Sequence, residues 1–268
     1  MKYLLILSIL FNALAFGKPI NKKECINLKG SFIYSAGECI EYALFKGEVK
    51  NKLIVLIHGA WREGANTLSR YKPFAENINL DTDITTIAIA LPGYSGSSTN
   101  HIQALTHNKN AIHMAATKEY INFLSTLLSD IKKRFNAKEL TVIAHSAGAM
   151  ASATILGYRP NLIQNALLAG GRYNIHTLDK EKSLISAVDY MDRILKNTKI
   201  VLVYGTKDTI SKPRVTKEFF NLVKKRGLNV HLIEIKGAPH INLDMQEKSV
   251  HSIEDLILST RPSKVLNF

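Results

Sequence analysis

Leu140-Thr141-Val142-Ile143-Ala144-His145-Ser146-Ala147-Gly148 is the stretch that decides the fold. A β-branched run reads as a strand ending at Ala144. A serine stands two residues further on, and residues compatible with a helix follow as far as Pro160. Small residues flank the serine at 144 and 148, as a sharp strand–turn–helix bend requires, because bulky neighbours would clash there. Such a bend lifts the serine hydroxyl above the sheet edge. The new helix aims free backbone N–H groups at the same spot, which suits a developing oxyanion. Ala144 keeps the size requirement with less backbone freedom than a glycine. The helix is expected to open at Ser146 and end before Pro160, with Gly157 as its stop signal.

Other segments repeat this texture on both sides. Leu53–Ile57, Ile84–Leu91, Ala166–Ala169, Lys199–Tyr204 and Val230–Ile235 are short, largely apolar runs. They fit parallel strands covered on both faces. Between them lie amphipathic stretches. Ile112, Ala116, Tyr120, Phe123, Leu124, Leu127, Leu128, Ile131 and Phe135 recur at spacings of three and four, one helical face over about six turns. Further helices are expected from Pro213 to Arg226, with Gly227 just past the end, and from Asp244 to about Ser259. The alternation predicts an α/β fold: a mostly parallel sheet with helices on both faces. The polar stretch 171–197 reads as a connecting helix or a small lid over a site.

Two more strands end in ionisable side chains. Asp208 follows the Lys199–Tyr204 strand, and His240 follows the Val230–Ile235 strand. Ligands bind at that edge of open α/β sheets. A serine hydroxyl needs a base to take its proton, and a carboxylate fixes the tautomer of a histidine base. The order Ser146…Asp208…His240 is the one expected when these groups are built on such a sheet. Asp189 and Asp192 are alternative acids. The turn His58-Gly59-Ala60-Trp61 follows the Leu53–Ile57 strand. It is expected to offer the N–H of Ala60 to an oxyanion, beside that of Ala147. His58 is expected to shape the loop rather than act in chemistry.

With these pieces in place, the chain resembles the α/β-hydrolase superfamily from about Leu53 onward. The resemblance rests on His58-Gly59, Leu91-Pro92-Gly93-Tyr94-Ser95-Gly96-Ser97, Ala144-His145-Ser146-Ala147-Gly148, Asp208 and His240. It implies a serine nucleophile at 146, a histidine base at 240 and an acid at 208. Trp61 and Tyr94 fall in loops expected to border the site. Either they wall an acyl pocket or they pack the loops on the core. The expected activity is hydrolysis of an ester, thioester or amide through an acyl-enzyme on Ser146, with a small acyl compound as substrate and no metal or organic cofactor. Alternatives are a peptidase of the same fold acting on short peptides, and a non-catalytic binding protein. Oligomeric state is not legible.

Composition frames this reading. The chain has 268 residues, 46% apolar and 21% charged, with 15 Gly and 7 Pro. That excludes collagen, low-complexity disorder and a disulfide-dense miniprotein. Residues 1–17 read as a secretory signal peptide: Lys2, an apolar run from Tyr3 to Phe16, and the small-x-small pattern Ala13-Leu14-Ala15. Residues 18–50 carry the only cysteines, Cys25 and Cys39, expected to pair in an oxidising compartment. They stand as an extra hairpin strapped to the edge of a hydrolase domain spanning 51–268. Neither cysteine has a ligand partner at zinc spacing. The net charge is +13, which suits weak contact with an anionic envelope surface. The densest runs, Lys132-Lys133-Arg134 and Lys224-Lys225-Arg226, fall at expected helix C-termini, where they complement the macrodipole. No nucleic-acid site is expected. Export, periplasmic or secreted, is the expected destination.

Overall fold

Strands of Val, Ile, Leu and Ala with no polar face must be covered on both sides, and the centre of this molecule is built from them. The computed structural model describes residues 19–106 and 111–258. The proposed signal segment lies outside them. The described residues open with α1 (Lys22–Asn27), β1 (Phe32–Ser35), β2 (Glu38–Phe45), β3 (Val49–Ile57), α2 (Thr67–Thr82) and β4 (Ile84–Ile89). Next come α3 (Ala111–Met114), α4 (Lys118–Arg134), β5 (Glu139–His145), α5 (Ala147–Tyr158) and β6 (Asn165–Ala169). The last part holds α6 (Ala187–Tyr190), β7 (Lys199–Gly205), α7 (Pro213–Lys225), β8 (Asn229–Ile235) and α8 (Glu247–Leu258).

The strands form one eight-stranded sheet in the order β1-β2-β4-β3-β5-β6-β7-β8. All six expected strands are present and pair in parallel, with Val55 beside Val142 and Leu168 beside Leu202. The 18–50 segment adds β1 and β2. They form an antiparallel hairpin turned at Ala36-Gly37, and β2 joins β4 antiparallel. A disulfide joins Cys25 of α1 to Cys39 of β2. Helix α2 packs on β2 and β4, α5 on β5 and β6, α7 on β7 and β8, and α8 on β6 to β8.

Local chemistry explains where the helices depart from expectation. The long helix expected from Ile112 is split. The Thr117 hydroxyl accepts the Tyr120 N–H at 3.1 Å and donates to the Met114 carbonyl at 2.9 Å, capping α4. Thr117 also bridges to Leu184, and Ile185 N–H donates to the Ala116 carbonyl. Tertiary pairing thus draws residues 115–117 out of the helix. Gly157 is not a stop signal. It lies inside α5, where a Cβ would stand 2.1 Å from the Tyr190 carbonyl oxygen; its role is to admit α6. Helix α2 was not among the expected helices, and it holds Pro73. That proline is exposed, so water can serve the carbonyl it leaves unbonded, while Leu68, Tyr71, Phe74 and Ile78 bury the inner face. The C-terminal helix begins at Glu247, after a 3₁₀ turn at Leu243–Met245.

The 171–197 stretch holds short 3₁₀ turns and the one-turn α6. Its apolar residues Leu184, Ala187, Met191 and Ile194 are buried, and α6 lies on α5.

The Cys25–Cys39 bond closes a loop of 15 residues, counted from 25 through 39. Replacing both cysteines with serine should lower stability by about 3 kcal/mol through the entropy of that loop in the unfolded chain. A urea titration reads this as a lower midpoint. Reductant should move the wild type toward the variant and leave the variant unmoved.

Candidate active site

Ser146 sits where β5 gives way to α5, with φ 54° and ψ −118°. An L-residue holds that conformation at a cost of order 1–3 kcal/mol, so the surroundings must impose it. The Ser146 N–H donates to the Ala169 carbonyl at 2.8 Å, and its own carbonyl accepts from Met150 N–H at 2.9 Å. The backbone crowds in from the neighbouring strand. A Cβ at Gly59 would stand 2.6 Å from the Ser146 Cβ, and one at Gly148 would stand 2.5 Å from the His58 carbonyl oxygen. Ala144 is plain strand, without positive φ, so nothing there demands glycine.

The hydroxyl raised by this bend meets an imidazole. Ser146 Oγ and His240 Nε2 are 2.8 Å apart, and His240 Nδ1 lies 2.7 Å from Asp208 Oδ2. Asp208 is 3% exposed. Its other oxygen accepts the N–H groups of Ile210 (2.9 Å) and Ser211 (2.8 Å). A carboxylate so engaged orients the imidazole, with Nδ1–H toward Asp208 and Nε2 toward the serine. His145, beside the serine in sequence, donates Nε2–H to the His240 carbonyl at 2.8 Å. Burial pushes its pKa down, and the neutral ring braces the backbone of His240.

The N–H groups of Ala60 and Ala147 have no acceptor among the described residues, and both residues line a cavity of about 520 Å³ with Ser146 and His240. Trp61 lines it too. Tyr94 does not: it is wholly buried, and its hydroxyl donates to the Trp61 carbonyl at 2.8 Å. The pocket role for Tyr94 is therefore corrected to support of the Trp61 loop. Asp189 accepts from His176 and from Ser186 N–H, and Asp192 pairs with Arg226. Neither lines the cavity. Of residues 171–197 only Arg172 does.

His58 is fixed at both nitrogens. Nδ1–H donates to the Gly59 carbonyl at 2.6 Å, and Nε2 accepts the Leu91 N–H at 3.0 Å. Burial lowers its pKa to about 4. It shapes the loop, as expected. One group of side chains among those described could gather round a cation: His113, Asp179 and Glu181. Protein donors already serve it. His113 pairs with Asp179 at 2.8 Å, Glu181 N–H bonds the other Asp179 oxygen, and Ser183 bonds Glu181.

Sequence reasoning missed the outer wall of the cavity: Met150, Arg172, Ile210, Ser211 and Ile241. The available signal was position, since each follows a strand's C-terminal end or lies one turn into the next helix.

A family model of the alpha/beta hydrolase fold matches residues 52–195, more than half of the chain. The protein belongs to the α/β-hydrolase fold family. No curated protein matches the sequence. Among solved structures, the Pyrococcus furiosus esterase Pf2001 is similar at a TM-score of 0.66 and 17% identity, over 90% of this chain and 96% of that one. A predicted CIB-like hydrolase from Thermoplasma acidophilum gives 0.63 and 16%, over 85% and 96%. Est1E from Butyrivibrio proteoclasticus, with ferulic acid bound, gives 0.62 and 14%, over 86% and 100%. At such identities the likeness is one of fold: a hydrolase fold with esterases among its structural neighbours.

The buried neutral state of His58 has a consequence for stability. The unfolded chain takes up this proton below about pH 6.5, the folded protein only below about pH 4. His58 therefore favours the folded state fully above about pH 6.5, and the contribution is lost as pH falls toward 4, about 3 kcal/mol in all. Urea midpoints of the wild type and His58→Gln, measured from pH 7.5 to 4.5, should converge as pH falls. Parallel profiles would remove His58 from the account.

Proposed function

We propose that the protein is an exported serine hydrolase that cleaves an ester, thioester or amide of a small acyl compound. The observation carrying this reading is the continuous hydrogen-bonded line from Ser146 Oγ through His240 to Asp208. Ser146 attacks the substrate carbonyl carbon, and its proton passes to His240 Nε2. The oxyanion forms against the N–H groups of Ala60 and Ala147, whose orientation costs nothing at the moment of reaction. The intermediate collapses and the leaving group departs with the proton from His240. Water then attacks the acyl-enzyme, giving its proton to His240 and releasing the carboxylic acid and Ser146. Asp208 keeps the tautomer that each transfer needs. No step calls for a metal or organic cofactor.

Export is supported by the character of residues 1–17 and by the Cys25–Cys39 bond, which persists in oxidising compartments. The peptidase reading draws no support from the cavity. A peptide's amine would need an acidic anchor, and the acids Asp189 and Asp192 lie outside the cavity lining.

A fluorophosphonate probe should label the protein, and Ser146→Ala should abolish both label and turnover of short acyl esters. Asp208→Asn should keep the fold and lower kcat by about 10⁴-fold, because the wrong tautomer is held. Absence of labelling in the folded wild type would turn the reading toward a binding protein.

A further inference from the structure

The cavity above Ser146 is apolar over much of its wall, through Trp61, Met150, Ile210 and Ile241, and no Asp or Glu side chain lines it among the described residues. Four basic side chains do: His113, His145, His240 and Arg172. His240 is bonded to Asp208 and Ser146, and His145 to the His240 carbonyl. His113 is already committed to Asp179. Arg172 is not committed to any carboxylate: no ion pair involves it among the described residues. Its guanidinium donates one hydrogen bond, to the Ile210 carbonyl, and its other donors have no acceptor among the described residues. Asp208 is the acid that acts on it electrostatically, but both Asp208 oxygens are occupied by His240, Ile210 and Ser211.

The position of this cation is built. Arg172 follows the C-terminal end of β6, two residues after Gly170, whose Cβ, if present, would stand 3.1 Å from the His240 ring. The next residue, Tyr173, is fully buried. It stacks on Phe219 at 4.6 Å between centroids, and its hydroxyl donates to the Leu168 carbonyl at 3.1 Å. The backbone under Arg172 is thus anchored, and its half-buried head is held at the cavity wall by Ile210. Burial works against the charge. A guanidinium fork with free donors matches a carboxylate in two parallel bonds.

We infer that Arg172 sets substrate class: the site takes an ester or thioester that carries an anionic group, a carboxylate above all, on its acyl or its alcohol part. This rests on the serine-hydrolase reading for the chemistry, though not for the binding.

Two matched pairs of esters test it. Mono-4-nitrophenyl glutarate against 4-nitrophenyl valerate places the charge on the acyl side. 4-Acetoxybenzoate against its methyl ester places it on the alcohol side. In at least one pair Arg172→Gln should lower the anionic-to-neutral ratio of kcat/KM at least tenfold, and Arg172→Lys should retain part of it. A merely structural role, through the bond to Ile210, would slow both members alike and leave the ratio unmoved. A ratio changing less than twofold in both pairs overturns the inference. Calorimetry keeps the two readings apart. Monomethyl glutarate should bind the Ser146→Ala protein more tightly than dimethyl glutarate, and Arg172→Gln in that background should abolish the difference. If no ester is cleaved and no probe labels Ser146, the hydrolase reading fails, while Arg172-dependent binding still upholds the anion site. Equal binding of the two glutarates overturns it even if esters are cleaved.

Discussion

The bend at Ser146 exists only because two backbones close on it. A left-handed serine between a strand and a helix is unfavourable by itself. It is held by the Ala169 carbonyl on one side and by the missing side chain of Gly59 on the other. Ala169 closes β6, and Gly59 lies two residues past the end of β3. The parallel register of β3, β5 and β6 is therefore a precondition for the raised hydroxyl, and so is the apolar core that fixes that register. A slip of one residue in any of these strands would exchange its inward and outward faces and take Gly59 or Ala169 away from the serine.

Much of this was legible in the sequence because strand ends are legible. A continuous apolar run bounded by a turn marks a buried parallel strand, and the groups that matter follow such runs directly. Ser146, Asp208, His240, Ala60 and Ala147 were singled out by that rule, and the structure joins the first three in one hydrogen-bonded line. The missing parts fail it in identifiable ways. Arg172 follows β6 just as directly, but a lone arginine after two glycines carries no chemical signature until the lack of a carboxylate partner among the described residues is seen. Pro73 masks a helix whose buried face is otherwise regular. Gly157 looks like a terminator because its sequence context does not reveal the Tyr190 carbonyl beside it. Thr117 interrupts a flawless apolar periodicity because a strand bridge to Leu184 wins locally over another helical turn. The misses at Gly157 and Thr117 are long-range contacts overriding a local preference.

The hairpin before the common fold also bears on the site. Glu38 of β2 is fully buried, and its carboxylate accepts from the Ser98 hydroxyl and from the N–H groups of Asn100, His101 and Ile102 at 2.6 to 2.9 Å. Four donors compensate the loss of water that burial imposes on a carboxylate. The loop after β4 is thereby tied to the hairpin. The same loop carries Tyr94, which supports Trp61 at the cavity. The disulfide fixes α1 to the strand that holds Glu38, so the N-terminal addition steadies one wall of the site at a distance.

Nine histidines are present in the chain, and three converge near the serine with different fates set by their surroundings. His58 is buried with both nitrogens bonded to backbone, so it has neither a free lone pair nor space to move. His145 is buried too, and its Nε2 meets the His240 carbonyl, which fixes that nitrogen as a donor. Only His240 combines a carboxylate at Nδ1, a hydroxyl at Nε2 and an opening to the cavity. In the proposed reaction a proton taken from Ser146 would leave a positive imidazole, and of these three rings only the one beside Asp208 has a negative partner in direct contact to offset it. Residue type alone could not make that distinction. Burial and bonding partners make it, and they also explain why the two buried rings, held neutral, serve as struts for the loops that carry Gly59 and His240.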